Sequence, residues 1–380
     1  MSKTNRSRLL KILALILPLL FIFIFSQEFL FDRRSYDSDS LEKFYLEEKD
    51  SLDVVFIGAS EVTQGYNPGY AYDKYGFTSY KYSIDANQGS LYLSQLKEVL
   101  NHQNPEILFV DLSGFLIDDD EQFFNNIILL NYARGIPFSE NKVHTIMQYP
   151  DEEKLPYFFP LIMHHGNASV AYDRLSEVYR RLTREEQPAL LKGALTYTHI
   201  SANSEDVGKP FDPLTYGLTD NVKATLVEFL DYCKANDLNI VFTNFPRHIA
   251  DERNHNLLFL FDQTKSIIKE YGYPVWNLQE EMDAIGIDKK HDFVDSPHLN
   301  IYGQVKLTDY IGSHIIDQYG LTPRTQSEQN RLEWEICAAN NREFINLAVY
   351  AMETGRDLAL YETSQEWLFR LTVPESHKIM

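Results

Sequence analysis

LDVVFIGASE, residues 52–61, joins an apolar run of strand length to a small-residue turn and a serine. Such a run is typical of a strand that is buried on both faces of a sheet. Because ligands of open α/β sheets bind at the carboxyl ends of the strands, Ser60 is predicted to hold its hydroxyl at that edge. Gly58 permits a tight turn and a close approach of substrate to the backbone. Alternatively, Ser60 only caps the following helix, since serine is a favoured N-cap.

Further short apolar runs alternate with stretches of helical spacing after this segment. The expected strands are residues 80–84, 106–112, 238–243 and 273–278, and the expected helices are residues 90–101, 222–236, 257–271 and 302–319. Strands that alternate with helices indicate βαβ units, a parallel sheet and helices on both of its faces. The sequence therefore predicts an α/β domain.

Two segments fall outside this alternation. Residues from about 118 to 210 are helical and aromatic in character. They are too long for a connecting loop, so we expect a helical cap inserted into the domain. Residues 321–380 are expected to form a helical extension without a strand. Packing on the domain surface and docking of a partner are both open for this extension.

The N-terminus pairs a basic start with an apolar run. Residues 12–25, ILALILPLLFIFIF, carry no charge and follow Lys3, Arg6, Arg8 and Lys11. We expect residues 1–31 to be a cytoplasmic start and an uncleaved transmembrane signal anchor, and residues 32–49 to be a polar stem. The positive flank places the acidic bulk outside the cytoplasm. A cleaved signal peptide is the alternative, although no small-residue cleavage pattern follows Phe25.

Composition narrows the classes of partner and site. Acidic residues outnumber basic residues by 55 to 35, so the formal charge is -20 and nucleic-acid binding is excluded as a first interpretation. The two cysteines, Cys233 and Cys337, have no CxxC or Cys/His spacing around them. We therefore expect neither a cysteine-ligated metal nor a disulfide scaffold, and no cofactor. Whether the two thiols pair with each other is open at this stage.

A second motif, DSPHLNIYG, occupies residues 295–303 and precedes the last helix of the α/β pattern. Asp295 and His298, three residues apart in a loop, can face one site. There a histidine is the usual general base near neutral pH, and a carboxylate fixes its tautomer. A serine hydroxyl needs such a base to become a nucleophile. The order Ser, Asp, His along the chain therefore predicts a catalytic triad of Ser60, Asp295 and His298.

These motifs resemble those of the SGNH/GDSL hydrolase superfamily. The closer resemblance is to membrane-anchored bacterial cell-surface members, which include the D-alanyl transfer protein of teichoic acids and polysaccharide O-acetyltransferases. The likeness rests on FIGASE with Asn67-Pro68, on the turn Ala86-Asn-Gln88 and on DSPHLNIYG. It implies a flavodoxin-like three-layer α/β/α sandwich over residues 50–320. It also implies that Ser60 is the nucleophile, His298 the base and Asp295 its orienter.

The same resemblance implies an oxyanion hole built from the serine turn and two further blocks. The residues expected to line the oxyanion or substrate site are Gly58, Glu61, Asn87, Gln88 and Gly89. The third block departs from the family pattern, because residues 110–114, VDLSG, contain no asparagine, and Glu61 stands where the family has a histidine. One missing donor costs about 10²–10³ in rate, so Asn87 or Gln88 must substitute or the activity is weak.

The sequence supports two functions of different class. The first is a membrane-anchored, extracytoplasmic serine esterase or O-acyltransferase that acts on a cell-surface polysaccharide or teichoic-acid-like substrate, with a membrane-bound acyltransferase as the partner that the resemblance implies. The alternative is a catalytically weak or inactive SGNH-like protein that binds glycan or assists a membrane acyltransferase. A third interpretation, a lipase-like enzyme, requires an apolar surface at the site, for which Phe158 and Phe159 are a hint.

Four other polar clusters are candidates. Asp118–Glu121 lacks the spacing of a calcium loop and is better explained as a solvated helix start. Arg247-His248 follows a predicted strand and offers either an anion-binding arginine or a solvated loop. His291-Asp292 neighbours the predicted triad. His164-His165 lies in the cap, where at most one of two adjacent side chains faces a substrate.

Overall fold

The computed structural model of the chain describes residues 3–26, 35–159, 162, 191–200, 217–249, 252–356 and 359–360. Within these residues the strands are β1 (Val54–Gly58), β2 (Ser79–Ser83), β3 (Ile107–Asp111), β4 (Thr196–Tyr197), β5 (Ile240–Asn244), β6 (Val275–Asn277) and β7 (Ala359–Leu360). The helices are α1 (Lys3–Phe25), α2 (Tyr36–Phe44), α3 (Ser60–Gly65), α4 (Pro68–Tyr75), α5 (Gly89–His102), α6 (Asp120–Phe123), α7 (Asn126–Gly135), α8 (Glu140–Gln148), α9 (Leu155–Phe158), α10 (Asp220–Ala235), α11 (Glu252–Glu270), α12 (Met282–Ile285), α13 (Ile301–Asp317) and α14 (Glu328–Glu353), with a 3₁₀ helix at Leu112–Phe115.

Five strands form one parallel sheet in the order β2-β1-β3-β5-β6. The five residues of β1 are all buried, as expected for a strand covered on both faces. Val55 and Ile57 pack into one apolar layer, and Val54 and Phe56 pack into the other. The predicted α/β class, the parallel sheet and the helix-covered faces are therefore confirmed.

The carboxyl ends of β1, β2, β3 and β5 meet at one edge of the sheet. Gly58 lies opposite Ser83 of β2, and Asp111 of β3 lies opposite Thr243 of β5. The loops that follow these strands therefore converge on the turn that carries Ser60. This is the edge at which open α/β sheets bind ligands.

Helix α1 covers the basic start and the apolar run of the N-terminus. Its large apolar side chains are exposed to solvent between Leu10 and Phe23 wherever they are described. Within the described residues, no helix has both the length and the apolar character that crossing a membrane requires, so the transmembrane span expected within residues 1–31 is not found there.

The segment 32–49, expected to be a polar stem, belongs to the folded domain from residue 35 onward. Leu41 and Phe44 are fully buried, one helical turn apart on α2. The Phe44 ring packs edge-on against the Tyr82 ring of β2 at 4.7 Å between centroids. Two apolar residues at helical spacing dock this short helix on the sheet, although its overall composition is polar.

The predicted helical cap is described in part. Residues 118–159 contain α6 to α9, and α7 and α8 of this set pack beside α2 and α5. Residues 191–200 return to the sheet, where the Lys81 backbone N–H donates a hydrogen bond to the Lys192 carbonyl. Most of the remaining insertion, including His164-His165, lies outside the described residues.

The described part of the C-terminal extension, residues 321–356 and 359–360, packs on the domain and adds one short strand that the sequence did not predict. Helix α14 lies against α4 and α13, and its Trp334 and Phe344 are buried. Strand β7 pairs antiparallel with β4, which is distant in sequence. Local patterning carries no signal for such a pair, because each strand has only two residues. Cys233 and Cys337 are buried thiols.

A buried ion pair, called here the scaffold pair, joins three of these segments. Lys192 Nζ lies 2.7 Å and 2.8 Å from the two carboxylate oxygens of Glu47, and both side chains are 1% exposed. The same ammonium group lies 4.6 Å from the centre of the Trp334 ring. Glu47 follows α2, Lys192 lies in the last described part of the insertion, and Trp334 belongs to α14. The pair therefore connects the predicted stem, the cap insertion and the C-terminal extension, which are far apart in sequence.

Candidate active site

Ser60 is the first residue of α3, directly after the turn that closes β1. The preceding Ala59 is extended, with φ -105° and ψ -157°, so the chain turns sharply from strand into helix. A Cβ atom at position 58 would lie 2.4 Å from Val62 Cγ2 and 2.9 Å from Asp111 Cβ. Gly58 is therefore required by the close packing of the turn against β3, and not by a positive φ.

The three predicted triad residues come together. His298 Nε2 lies 2.7 Å from Ser60 Oγ, and His298 Nδ1 lies 2.9 Å from Asp295 Oδ2. Asp295 Oδ1 also accepts a hydrogen bond from the His298 backbone N–H at 3.1 Å. The carboxylate thus holds the ring and the backbone of the same histidine. This is the geometry of a serine that is hydrogen-bonded to a general base with an oriented imidazole.

The loop that carries Asp295 and His298 is held at both sides. The Val294 N–H donates to the His298 carbonyl at 2.8 Å, which closes the loop on itself. Ser296 is joined to the loop after β5 by two hydrogen bonds. Its carbonyl accepts from the His248 N–H at 2.7 Å, and its hydroxyl donates to the His248 carbonyl at 2.8 Å. The position of His298 therefore depends on β5 as well as on α13.

Carboxylates surround His298 and set its pKa. Burial lowers the pKa of His298, whereas the hydrogen bond to Asp295 and the charges of Asp295, Glu61 and Asp85 raise it. The carboxylates outweigh burial, so the pKa lies above the ordinary value of 6.5. Such surroundings stabilise the imidazolium that forms when His298 accepts the Ser60 proton.

Glu61 forms a second buried ion pair, called here the site pair. Arg247 Nη2 lies 2.7 Å from Glu61 Oε1, and the side chains are 8% and 7% exposed. Arg247 Nε is buried and has no hydrogen-bond partner among the described residues. The carboxylate that was expected to line the oxyanion or substrate site is thus paired with a cation. The sequence left open whether Arg247 binds an anion or lies in a solvated loop. The side chain is buried, and the anion that it binds is Glu61 of the same chain.

Asp111 is a site-edge residue that the sequence analysis did not select. It ends β3 and is buried, and its Oδ2 accepts hydrogen bonds from the backbone N–H and the hydroxyl of Ser113. Its other oxygen, Oδ1, is buried and accepts no hydrogen bond from the part of the chain that the structure describes. Burial and the neighbouring charge of Glu61 raise the pKa of Asp111 to about 7. The only available signal was a carboxylate at the carboxyl end of a strand in VDLSG.

Asn87, expected to replace the missing oxyanion donor, is engaged elsewhere. Its amide nitrogen donates to the Gly58 carbonyl at 2.8 Å and to Gln95 Oε1 at 2.9 Å. Because an amide group has two hydrogens, both are used by these contacts. The side chain therefore fastens the loop after β2 to the end of β1, and it is not a free donor for an oxyanion.

The neighbouring residues of this loop have local roles. The Gln88 amide nitrogen donates to the Ala86 carbonyl, and Ala86 itself has a φ of 54°. Gly89 begins α5, where a Cβ atom would lie 2.4 Å from the Phe115 ring. Gly89 is therefore needed for packing. A contribution of Gln88 or Gly89 to an oxyanion hole stays a prediction.

Asp37 and Asp85 form a second feature that the sequence analysis missed. The Asp85 backbone N–H, after β2, donates to Asp37 Oδ1 of α2 at 2.9 Å. Burial and the charge of Asp85 raise the pKa of Asp37 to about 7. Burial also raises the pKa of Asp85, which interacts electrostatically with His298. The segment predicted to be a stem thus supports the loop beside the triad.

His291-Asp292 is not part of the triad. Asp292 is fully buried and accepts hydrogen bonds from Lys306 Nζ at 2.6 Å and from the Asp288 N–H at 2.8 Å. Its role is to hold the loop that leads to α13. The His291 ring is half-exposed and hydrogen-bonded to Asp292 at 3.1 Å.

The acidic cluster at residues 118–121 contributes to a helix start. Asp119 accepts a hydrogen bond from the Gln122 N–H and so caps α6. Asp120 accepts hydrogen bonds at 2.6 Å from Thr219 and Asn221. In the part of the chain that the structure describes, no three His, Cys, Asp or Glu side chains are placed to hold a metal ion.

No protein-family model matches the chain, and no curated protein matches it at a significant level. Solved structures do match. A protein of the G-D-S-L lipolytic family from Desulfitobacterium hafniense shares 8% identity and a TM-score of 0.34, over 68% of this chain and 97% of that one. A candidate acylhydrolase from Bacteroides fragilis shares 11% identity and a TM-score of 0.37, over 76% of this chain and 99% of that one. A gut microbial diltiazem-metabolizing enzyme shares 10% identity and a TM-score of 0.31, over 72% of this chain and 47% of that one.

The architecture agrees with the SGNH/GDSL hydrolase-like fold that the motifs imply. The nucleophile candidate follows β1 of a parallel sheet, and the Asp295/His298 loop immediately precedes α13. The features that a function must use are therefore the hydrogen-bonded Ser60, the carboxylate-rich surroundings of His298, and the site pair.

Proposed function

We propose that this protein is a serine esterase or O-acyltransferase that forms an acyl-serine intermediate at Ser60. The observation that carries the proposal is the continuous hydrogen-bond chain from Ser60 Oγ through the His298 ring to the Asp295 carboxylate. The alternative role of Ser60, capping the following helix, is not observed, because Ala59 is the N-cap of α3 and no side chain caps the helix there. A chain of this kind activates a hydroxyl that is otherwise a weak nucleophile.

The residues act in a defined order. His298 Nε2 accepts the proton of Ser60 Oγ while that oxygen attacks the ester carbonyl, and Asp295 stabilises the resulting imidazolium. When the tetrahedral intermediate collapses, His298 returns the proton to the leaving alkoxide and the acyl group remains on Ser60. A water or a sugar hydroxyl then gives its proton to His298 and attacks the acyl-serine. The oxygen of this acceptor takes the acyl group, and Ser60 regains its proton.

The acyl acceptor decides between the two activities. Hydrolysis and transfer pass through the same acyl-serine, so the triad alone supports both. We propose a cell-surface polysaccharide or a teichoic-acid-like polymer as the substrate, with a membrane-bound acyltransferase as a partner, on the basis of the motif resemblance. We further propose an extracytoplasmic position, with α1 attaching the chain to the cell membrane. Support comes from the basic start and from the exposed apolar residues of α1.

A fluorophosphonate probe tests the nucleophile directly. The full chain is labelled and read by intact mass, beside Ser60→Ala and His298→Ala variants. A single adduct on Ser60 that is lost in both variants is expected. His291→Ala is the matched control, because that histidine lies in the same loop and does not contact Ser60. Folded protein without an adduct, or an adduct that survives His298→Ala unchanged, would contradict the proposal.

A non-catalytic role is the second candidate, and specific contacts favour it. Both amide hydrogens of Asn87 are used within the protein, and the third block, residues 110–114, contains no asparagine. A site with few free oxyanion donors binds an acylated glycan without turning it over at a useful rate. In that case Ser60→Ala leaves glycan binding intact, which glycan-array binding of the wild type and the variant would show.

A further inference from the structure

Two exposed and two half-buried apolar side chains of the cap form a surface called here the cap patch. The exposed pair is Phe138 and Leu155, and the half-buried pair is Phe158, which also packs against the core, and Phe159. Phe138 is 79% exposed and Leu155 is 61% exposed. The Phe138 and Phe158 rings lie 6.4 Å apart, and Leu155 lies one turn before Phe158 on α9. A contiguous apolar surface of this kind marks a site of interaction with another molecule or with lipid.

The cap patch is continuous with α1. The Phe23 ring, near the end of α1, lies 5.7 Å from the Phe159 ring. The contact brings the C-terminal end of the N-terminal helix to the edge of the patch. Whatever covers the apolar side chains of α1 near Phe23 therefore also meets Phe159 and its neighbours.

The exposure pattern of α1 indicates lipid as the cover. Successive residues from Leu10 to Phe23 are exposed wherever their side chains are described, so the apolar surface runs around the helix. A helix that is apolar on all sides is buried either inside a protein core or in a bilayer, and a partner that packs on one side leaves the other sides exposed. The described residues place no protein core around α1, so a bilayer is the better cover. The preceding basic residues, Lys3, Arg6, Arg8 and Lys11, are typical of a helix end at a membrane surface.

We infer that the cap patch lies in the interfacial layer of the bilayer to which α1 attaches the protein. Apolar faces of this type enter the boundary between headgroups and acyl chains by about 5–10 Å. The inference rests on the membrane attachment of the proposed function and adds the face by which the domain contacts the lipid.

The position of the cap relative to the site gives the contact a consequence. The Ser90 hydroxyl, directly after the loop that follows β2, donates to the Phe123 carbonyl of α6 at 2.7 Å. The Ser94 hydroxyl, also on α5, is hydrogen-bonded to the Tyr132 hydroxyl of α7 at 2.8 Å. The cap is thus hydrogen-bonded to α5, and Asn87 of the loop before α5 is hydrogen-bonded to Gly58 in the turn that carries Ser60. A cap that rests on lipid therefore places Ser60 at a defined distance from the membrane. The acyl esters within reach are those close to the lipid surface.

Probe quenching in vesicles tests the inference on the full chain. Single cysteines replace Leu15 of α1, Phe138 of the cap patch, or Asp317, which is exposed at the end of α13 on the opposite face of the sheet. Each carries an environment-sensitive fluorophore, and each variant is reconstituted into phosphatidylcholine vesicles that contain lipids with a nitroxide near the headgroup and lipids with a nitroxide in the middle of the acyl chain. The native Cys233 and Cys337 are buried and do not compete for the label under native conditions.

The expected result is loss of most fluorescence at positions 15 and 138 and little loss at position 317. Quenching at position 15 alone would overturn the inference and leave membrane attachment standing. Absence of quenching at positions 15 and 138 would overturn both, while the fluorophosphonate reaction of Ser60 would still report the catalytic proposal separately. Equal quenching at all three positions would overturn the assignment of a defined face. Quenching of position 138 by a second labelled copy in lipid-free detergent would assign the patch to self-association.

Discussion

The scaffold pair and the site pair are both buried, with side chains 1% and 7–8% exposed respectively, but their surroundings are very different. In the scaffold pair, Lys192 binds both oxygens of Glu47 and lies over the Trp334 ring. In the site pair, Arg247 contacts one oxygen of Glu61, keeps a buried Nε without a partner, and lies near the carboxyl of Asp111. In the scaffold pair one cation meets one carboxylate, and both carboxylate oxygens are bound. In the site pair one cation, Arg247, faces two carboxyl groups, those of Glu61 and Asp111.

The difference shows that the unsatisfied polar groups of these two pairs lie beside the candidate active site and not in the scaffold. A buried ion pair with complete contacts holds elements in register, although it adds little net stability compared with an apolar replacement. Incomplete contacts and crowded carboxylates raise the energy of the folded state, and they cluster where chemistry needs shifted pKa values. The scaffold pair and the site pair should therefore respond to substitution in opposite ways, one through stability and the other through reactivity.

The largest effect is expected for His298→Ala, which removes the base and leaves both ion pairs in place. The rate of fluorophosphonate labelling should fall by about 10⁴-fold or more, because Ser60 loses its proton acceptor. The free energy of unfolding should change by less than about 1 kcal/mol, as for most substitutions of partly exposed side chains. Labelling kinetics and urea unfolding measure the two effects. A labelling rate within tenfold of the wild type would show that Ser60 is not activated by His298.

Lys192→Met should break the scaffold pair and destabilise the chain by about 3–5 kcal/mol, because Glu47 is left buried and unpaired. The labelling rate of the folded fraction should stay within a factor of about two, since the pair lies away from the triad. Urea unfolding of the single variant and of Glu47→Leu/Lys192→Met measures the effect. The double variant should recover most of the stability, and an equal loss in both would show that packing, not charge, decides the effect.

Arg247→Met should act mainly on the pH dependence of labelling. Loss of the cation leaves Glu61 and Asp111 uncompensated, so the negative potential at His298 grows and its already raised pKa rises further. The acid limb of the pH profile, where imidazole becomes protonated and inactive, should move to higher pH by about half a unit or more. Glu61→Gln is the matched variant and should move the limb to lower pH. An unmoved limb in both variants would remove the site pair from the chemistry.

Asp111→Asn should have the smallest effect on labelling, because Asp111 is not among the carboxylates that raise the pKa of His298. Its main effect should be on the pH dependence of the free energy of unfolding. Because the folded pKa of Asp111, about 7, lies above its ordinary value of 3.8, the folded state binds the proton more tightly than the unfolded state. The stabilisation that the protonated Asp111 gives the folded state is fully present below pH 4 and is lost as pH rises toward 7. The free energy of unfolding of the variant should therefore change less across this pH range than that of the wild type, by roughly 1–3 kcal/mol. Urea unfolding at several pH values measures the slope. A slope equal to that of the wild type would contradict a raised pKa.

Much of the fold could be predicted from the chain because the signals are local. The short apolar runs of the buried strands and the helical spacing of apolar residues can each be recognised within a short stretch of sequence. The strands of the five-stranded sheet begin and end within about two residues of the expected ones. The α2 helix was missed because Leu41 and Phe44 are its only buried apolar residues, and its other buried side chains, Asp37, Ser38 and Ser40, are polar. The β4–β7 pair was missed because two-residue strands have no periodicity to detect.

The site was predictable only where a motif placed chemistry at a strand end. Ser60, Asp295 and His298 lie in two short motifs, and strand topology brings such motifs to one edge. Glu61 and Asn87 were assigned to the oxyanion site from the resemblance, yet their side chains bind Arg247 and Gln95. Those contacts depend on which distant loops meet, and no spacing along the chain contains that information.

The sequence by itself determined the α/β class and the pairing of a serine turn with an Asp-His loop, because both depend on residues close in the chain. Only the tertiary structure decided which carboxylate is paired with which cation, that α2 supports the loop after β2, and that the cap turns an apolar face outward beside α1. Whether a buried side chain is charged and has hydrogen-bond partners depends on the distant segments that pack around it in the folded chain. The same aspartate or arginine is a solvated residue in one packing and part of the site in another.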